Sequence, residues 1–214
     1  MNTIQVSKDN YQLFIDSLLK GDRRTCNSIV VKLLDADIEI KELYVHLFQR
    51  ALYEVGVLWE KNQISVATEH IATAITEGLL TLVYPKLFEA EHYGKKAVIA
   101  CVPNEFHQIG AKMVADTFEL NGWDGHFVGA NTPTPELLKK IHEISPDVIG
   151  LSLSIYFNLP SLEKMIDDIR VEFPETPIWI GGQAFRWGGK EIFDKHENTL
   201  FIDSLYKLET LIKA

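Results

Sequence analysis

The chain has few cysteines and little positive charge. Its 214 residues include two cysteines, Cys26 and Cys101, which lie in apolar segments without the paired spacing of a disulfide framework or zinc site. We therefore expect reduced, buried thiols, as in cytosolic proteins. The formal net charge is −9, from 21 Lys and Arg against 30 Asp and Glu. Because phosphate contacts need clustered basic residues, this balance argues against direct nucleic-acid binding.

The sequence also lacks membrane and nucleotide-binding patterns. No apolar run approaches membrane-spanning length, and the N-terminus lacks a charged-then-apolar leader, so we expect a cytoplasmic protein with no membrane partner. Neither the Gly-x-Gly-x-x-Gly loop of dinucleotide sites nor a phosphate loop ending in Gly-Lys-Ser/Thr is found. No Ser-His-Asp or Cys-His nucleophile arrangement can be argued. These absences favour a binding protein over a hydrolytic enzyme.

The first half of the chain has the apolar periodicity of α-helices. Helices are expected near 7–19, 22–34, 39–61 and from 65 onward. The third carries a core-facing stripe at three- and four-residue spacing: Tyr44, Leu47, Phe48, Ala51, Val55 and Leu58. The fourth is expected to face the core with Ala67, Ile71, Ala74, Ile75, Gly78 and Leu82. Because short connections make neighbouring helices antiparallel, residues 1–91 are predicted to form a four-helix bundle.

The second half alternates strands with helices after a polar, glycine-containing join at 91–96. Strands are expected near 97–102, 124–128, 148–153, 178–180 and 200–202. Helices are expected near 107–120, 134–144, 161–173, 185–196 and 204–213. Five such units imply right-handed crossovers and a doubly wound sheet. Residues 95–214 are therefore predicted to form a five-stranded parallel, Rossmann-like (flavodoxin-like) α/β domain.

The loop after the first predicted strand carries Glu105, His107 and Gly110. An imidazole can coordinate a metal through one ring nitrogen while a nearby carboxylate holds the other N–H. The glycine would let a bulky ligand approach the start of the next helix. A solvated loop histidine is the ordinary alternative for this pattern taken alone, so its function depends on context.

Two further strand ends carry polar or small residues. The third predicted strand ends at Ser152 and Ser154, and the fourth at Gly181 and Gly182, where missing side chains would admit a flat or elongated group. A pair of satisfied hydroxyls and a plain turn are the alternatives for each pair alone. Because the carboxyl ends of parallel strands form one crevice, their joint placement with the histidine loop favours a ligand site.

Together these residues resemble a known family. Glu105-x-His107-x-x-Gly110, then Ser152, then Gly181-Gly182 are similar to the cobalamin-binding domain shared by methionine synthase, corrinoid methyltransfer proteins and cobalamin mutases. The usual signature there is Asp-x-His-x-x-Gly, Ser-x-Leu and Gly-Gly. The resemblance implies that His107 is the lower axial ligand of cobalt. It would displace the dimethylbenzimidazole tail, which would enter a slot lined by Ser152 and the glycines.

Two positions depart from that signature. Glu105 replaces the usual Asp, which keeps the carboxylate but lengthens it, as in a sensor branch of the family. Ser154 stands where Leu is usual, so the slot for the tail is expected to differ in polarity.

The helical half resembles the cap of light-sensing cobalamin regulators attached to MerR-type DNA-binding domains. It contains Trp59 and then Glu69-His70, with nine residues between the Trp and the Glu. In that family the matching residues line the pocket for the adenosyl group on cobalt. A core residue at the bundle end for Trp59, a helix-start carboxylate for Glu69 and an ordinary histidine for His70 are the alternatives. The resemblance extends to the sequence around these residues, at positions 18–22, 51–60 and 64–72.

One position in the cap departs from those regulators, in which a histidine follows the cap Trp and captures cobalt after photolysis. This chain has Glu60 there, so the resemblance leaves capture to His70 or water. No DNA-binding segment is recognised in the sequence. Output is therefore expected to pass through an unidentified protein partner or a change in self-association, as a dimer or tetramer.

The sequence thus predicts a stand-alone cobalamin-dependent sensor in signal transduction or transcription regulation, with no enzymatic activity. It would hold adenosylcobalamin, or methylcobalamin, between cap and sheet domain and change conformation or assembly on photolysis. A corrinoid carrier for methyltransferases is the first alternative, although such carriers usually have smaller aliphatic residues in the cap. The second is a photocobilin-type sensor that also binds a bilin, or a haem variant on His107. Candidate bilin-lining residues, which core packing explains equally well, are Tyr44, His46, Phe48 and Tyr53.

Overall fold

The computed structural model describes residues 5–214 and divides the chain into two compact units. The helical unit is Met1–Lys86 and the sheet unit is Leu87–Ala214. The sequence placed the join at 91–96, whereas the chain divides earlier, inside a short helix. Within residues 5–214, no helix is both long and apolar enough to cross a lipid bilayer.

The helical unit contains the predicted helices, and side chains cap three of their N-termini. Ser7, Asp22 and Ser65 each accept a hydrogen bond from the backbone N–H three residues later, which satisfies a donor that the helix itself leaves unpaired. The helices are α1 (Lys8–Leu19), α2 (Arg23–Asp35), α3 (Ile40–Leu43), α4 (Arg50–Glu60), α5 (Val66–Leu80) and α6 (Tyr84–Leu87).

A π-helical turn, Tyr44–Gln49, joins α3 to α4 and was not predicted. The expected helix at 39–61 is therefore continuous but contains one wide turn. Its predicted core stripe is confirmed from Tyr44 to Val55, where every member is buried, but Leu58 at its end is only half-buried. The Phe48 ring lies 6.1 Å, centroid to centroid, from both the Tyr44 ring and the Phe14 ring of α1. This aromatic cluster holds α1 against the third predicted helix.

The fourth predicted helix turns a different face to the core, so the expected stripe is wrong except at Ile75, which is buried. Ile71 is 50% exposed, and Ala67, Ala74 and Gly78 are exposed as well. The residues that α5 buries are Ala72, Ile75, Thr76, Leu79 and Leu80. Because α5 is apolar on most of its circumference, two stripes fit its sequence and periodicity alone selected the solvent-facing one.

The sheet unit is a five-stranded parallel sheet, as predicted. Its strands are β1 (Lys96–Cys101), β2 (Asp124–Gly129), β3 (Val148–Ser152), β4 (Ile178–Gly181) and β5 (Thr199–Ile202), in the order β2-β1-β3-β4-β5. Its helices are α7 (Ile109–Leu120), α8 (Thr134–Ile144), α9 (Leu159–Glu172), α10 (Ile192–Lys195) and α11 (Leu205–Ile212). This is the flavodoxin-like order, whose topological switch point lies between β1 and β3.

The helix expected at 185–196 is shorter and interrupted. A 3-10 turn, Gln183–Arg186, is followed by a loop, and α10 begins only at Ile192. Gly188 and Gly189 cause the break, because their φ angles of 139° and 81° are incompatible with a right-handed helix.

Candidate functional site

The predicted site residues of the sheet lie at one edge. In the parallel register Cys101 pairs with Ser152, Ser152 with Gly181, and Gly181 with Ile202. The carboxyl ends of β1, β3 and β4 are therefore level with one another. The loop after β1 leaves this edge at the switch point, where open α/β sheets bind ligands.

The Glu105 carboxylate accepts four hydrogen bonds at this edge. Its side chain is fully buried, and each carboxylate oxygen accepts two hydrogen bonds. Oε1 accepts from the backbone N–H of His107 at 3.0 Å and faces its ring Nδ1 at 2.6 Å. Oε2 accepts from the backbone N–H groups of Ser154 and Ile155, both at 2.8 Å. The carboxylate thus joins the loop after β1 to the loop after β3.

These hydrogen bonds keep Glu105 ionised although it is buried. Burial raises the pKa of the carboxyl, but the donors from His107, Ile155 and Ser154 lower it by more, so the net pKa lies below the ordinary value for Glu. A negative charge beside the imidazole makes Nδ1 the protonated ring nitrogen and increases the basicity of Nε2.

His107 is presented to solvent by this arrangement. Its side chain is 53% exposed, and Nδ1 is engaged by Glu105. A metal would therefore bind Nε2. A corrin supplies four equatorial nitrogens of its own and needs only an axial ligand from the protein, so one oriented imidazole fits that group.

Ser154 and the glycines contribute through the backbone. Ser154 binds Glu105 with its N–H, a contact that the sequence did not predict. Gly182 has a φ of 123°, and a Cβ there would lie 2.0 Å from the carbonyl oxygen of Leu153. A Cβ on Gly181 would lie 2.9 Å from the Ile202 oxygen. The glycine pair therefore permits close backbone approach at this edge, while a Cβ on Gly110 would meet open space.

The sequence did not single out two asparagines beside the histidine loop. Asn104 and Asn131 both adopt left-handed backbone conformations, with φ of 66° and 48°. Asn131 Oδ1 accepts from the Asn104 N–H at 2.7 Å, and Asn158 Nδ2 donates to the Asn104 carbonyl at 3.1 Å. Asparagine tolerates this backbone region better than most residues, but that preference does not reveal the partners.

Large aromatic side chains remain exposed around the same edge. Phe106 is 69%, Phe157 89% and Trp187 73% exposed. The Tyr156 ring lies against the turn that follows Trp187, because a Cβ on Gly188 or Gly189 would lie 3.6 or 3.5 Å from its Cε2 atom. Exposed apolar side chains of this size at a strand-end crevice fit a broad and largely apolar ligand.

The predicted cap residues lie on α4 and α5 of the helical unit. Trp59 is 48% exposed, and Glu60 is also exposed. Glu69 Oε2 lies 2.5 Å from His70 Nδ1, and Glu69 Oε1 accepts from the Thr73 hydroxyl at 2.8 Å. Glu69 and His70 therefore act as one hydrogen-bonded pair on the surface of α5. Besides Trp59, the large apolar residues that these two helices expose are Val57, Val66 and Ile71.

Two of the four candidate bilin-lining residues belong to the helical core. Both are fully buried, Phe48 packs on Phe14 and Tyr44 packs on Phe48, so they reach a pocket only if the core opens. His46 lies at the surface and pairs with Glu42 at 3.5 Å.

Comparisons with known proteins match both units of the chain to one family. Two models described as B12 binding domains match residues 95–202 and 11–84. The HTH-type transcriptional repressor CarH of Myxococcus xanthus is 28% identical over 137 residues, 63% of this chain and 45% of the repressor. This chain thus spans about half the length of that relative. The dimethylamine corrinoid protein of Methanosarcina barkeri is 24% identical over 176 residues, 80% of this chain and 82% of the relative.

A solved structure shares the fold. The Methanosarcina barkeri monomethylamine corrinoid protein superposes with a TM-score of 0.81 at 11% identity, over 95% of this chain and 97% of that one. It supports a helical unit followed by a Rossmann-like sheet. With a B12 binding domain matched over half of its length, this chain belongs to the B12-binding family.

Proposed function

We propose that this protein is a light sensor that binds adenosylcobalamin, with His107 as the lower axial ligand of cobalt. When bound, the cofactor supplies a cobalt–carbon bond that light can break. The buried carboxylate of Glu105 would hold the imidazole in the tautomer that leaves the Nε2 lone pair to the metal. Photolysis would then change the conformation or the assembly, as a dimer or tetramer, and a protein partner would read that change.

The observation that carries the sensor proposal is the exposure of Trp59 on α4 and of His70, which pairs with Glu69, on α5. An indole that stays half exposed loses burial energy in the free protein, so its position favours a ligand-binding role. Adenine can stack on that indole, and the Glu69 carboxylate can accept hydrogen bonds from ribose hydroxyls. Release of the adenosyl group would remove these contacts from the helical unit and so bias a two-state equilibrium.

The test compares dark and illuminated protein reconstituted with adenosylcobalamin. We expect green light to change the ultraviolet–visible spectrum and the elution volume in size-exclusion chromatography. Trp59→Ala should weaken adenosylcobalamin binding, whereas Leu13→Ala, at an equally exposed apolar position of α1, should not. Identical spectra and elution volumes in dark and light would refute the sensor proposal.

A methyl-carrier function is the second candidate. The dimethylamine corrinoid protein of Methanosarcina barkeri matches most of both chains, which favours a carrier. A carrier would bind methylcobalamin in preference to adenosylcobalamin and exchange the methyl group with a methyltransferase. Turnover in a coupled methyltransferase assay, together with an unchanged elution volume after illumination, would favour the carrier over the sensor.

A further inference from the structure

The loop that carries His107 is held by two asparagine side chains from neighbouring loops. We propose that Asn131 and Asn158 are positioning residues that clamp the Asn104 peptide and thereby orient His107 toward a bound corrinoid. This inference rests on the proposed cobalt ligation by His107. It assigns a role to residues outside the motif that carries the ligand.

Three hydrogen bonds form the clamp. The Asn104 N–H donates to Asn131 Oδ1 at 2.7 Å, and the Asn104 carbonyl accepts from Asn158 Nδ2 at 3.1 Å. The Asn131 N–H donates to the carbonyl of Glu105 at 2.7 Å. The two peptide groups that flank the Asn104 Cα are therefore both held, one by the loop after β2 and the other by the loop after β3.

The orientation of both amides follows from their partners. A backbone N–H can only donate, so the Asn131 atom that faces it must be the amide oxygen. A backbone carbonyl can only accept, so the Asn158 atom that faces it must be the amide nitrogen. The two asparagines therefore have opposite roles, one as acceptor and one as donor. This difference makes their aspartate variants informative.

The Asn158 side chain donates a hydrogen bond to Asn104 instead of capping its own helix. It occupies the N-cap position of α9, where an asparagine side chain usually accepts from the first turn of the helix, yet it makes no such bond. The side chain reaches Asn104 instead and is only 8% exposed. The buried Asn158 amide therefore binds the loop after β1 rather than the first turn of α9, which indicates that its contact with Asn104 is the favoured one.

The clamp acts on the same segment as Glu105 but from other directions. Glu105 ties the loop to the N–H groups of Ser154 and Ile155, and the asparagines tie the residue just before it. Asn104 itself has a φ of 66°, so the loop holds a conformation that unrestrained residues seldom keep. Without the clamp, we expect the loop to relax and the imidazole to leave its productive orientation. Loss of an outer partner of a metal ligand typically lowers affinity by about 10- to 100-fold.

The experiment loads wild type and variants with cob(II)alamin and records electron paramagnetic resonance spectra. When the protein is labelled with ¹⁵N-histidine, a histidine nitrogen on cobalt splits each cobalt line into two, whereas the ¹⁴N of the cofactor's own dimethylbenzimidazole would split it into three. The twofold splitting is the readout. We expect Asn131→Asp to keep this splitting, because a carboxylate oxygen still accepts from the Asn104 N–H. Asn158→Asp should lose it, because a carboxylate facing the Asn104 carbonyl repels it, and affinity should fall about tenfold or more. Asn158→Ala, which removes the donor without adding charge, should lose part of this splitting.

Asn121 provides the matched control. Its Nδ2 also donates to a backbone carbonyl, that of Thr117, at 2.7 Å in α7, away from the loop. Asn121→Asp should lower the unfolding temperature as Asn158→Asp does but leave the nitrogen splitting intact. Wild-type splitting and affinity in both Asn158 variants would overturn the clamp alone. Splitting absent from the wild type, or retained in His107→Ala, would overturn the ligation and the clamp together.

Discussion

Replacement of Glu105 by Gln tests the central contact of the site. The carboxylate accepts two hydrogen bonds on each oxygen, from His107 on one side and from Ser154 and Ile155 on the other. An amide has only one accepting oxygen, so its NH₂ group must face donors on one side. The backbone donors of Ser154 and Ile155 cannot change, whereas the imidazole can change tautomer. We therefore expect the NH₂ group to face His107.

The size of the effect follows from the four bonds. A hydrogen bond to a charged group contributes about 1.5–3 kcal/mol, and a buried N–H left unpaired costs about 1–3 kcal/mol. In the variant none of the four hydrogen bonds involves a charged acceptor, and the backbone N–H of His107 is left unpaired. These losses are partly offset, because the variant no longer buries a charge. We expect a net loss of about 2–4 kcal/mol in the unfolding free energy of the sheet unit. The NH₂ group would also turn Nδ1 into an acceptor and place the proton on Nε2, which blocks metal binding.

The assay is urea unfolding of the ligand-free protein, followed by tryptophan fluorescence, with corrinoid binding measured separately. Glu136→Gln is the control, because Glu136 is exposed and pairs with Lys139 at the surface of α8. That variant should change stability by less than about 1 kcal/mol and leave corrinoid binding intact. If Glu105→Gln unfolds at the same urea concentration as Glu136→Gln, the carboxylate does not hold the two loops together.

Two further predictions concern a glycine and a tyrosine. Gly182→Ala should lower the unfolding temperature far more than Gly129→Ala, because both have positive φ but only Gly182 would place a Cβ against backbone atoms; equal effects would contradict the close approach. Tyr11 is buried, donates to Glu54 at 2.6 Å and lies under the Arg50 guanidinium; burial, then this hydrogen bond, raises its pKa well above the usual value. The neutral phenol therefore stabilises the fold fully below the unfolded pKa of about 10, and this stability declines as pH rises above it. Tyr11→Phe should reduce that decline in urea titrations between pH 9 and 11, and an unchanged decline would contradict the prediction.

The helices and strands were predictable from the sequence where the spacing of apolar residues fits only one element and one buried face. The strand Lys96–Cys101 is apolar throughout, and the stripe from Tyr44 to Val55 fits only one helix face. The pattern failed on α5, where a second apolar face was the buried one. The helix predicted at 185–196 was also wrong near Gly188, because the spacing of apolar residues gives no sign that the backbone leaves the helical conformation there.

The site was predictable only as far as its local motif. Glu105 and His107 are two residues apart, so their hydrogen bond follows from spacing. The partners of Asn104 lie 27 and 54 residues away along the chain, and no spacing rule identifies them. Such contacts depend on which loops the strand order brings together. The role of Ser154 was missed for a related reason, because its contact uses a backbone N–H that every residue except proline possesses.

The π-helical turn at Tyr44–Gln49 has a consequence for how this protein can diverge. A π turn holds about one residue more than an α turn, and one residue corresponds to about 100° of rotation about the helix axis. Deletion of a single residue there would convert the π turn into an α turn and leave the later side chains of α4, Trp59 among them, on the faces they now occupy. The same deletion in regular α-helix would rotate them by that angle, so the wide turn is a place where this helix can change length and still present the same residues to a ligand.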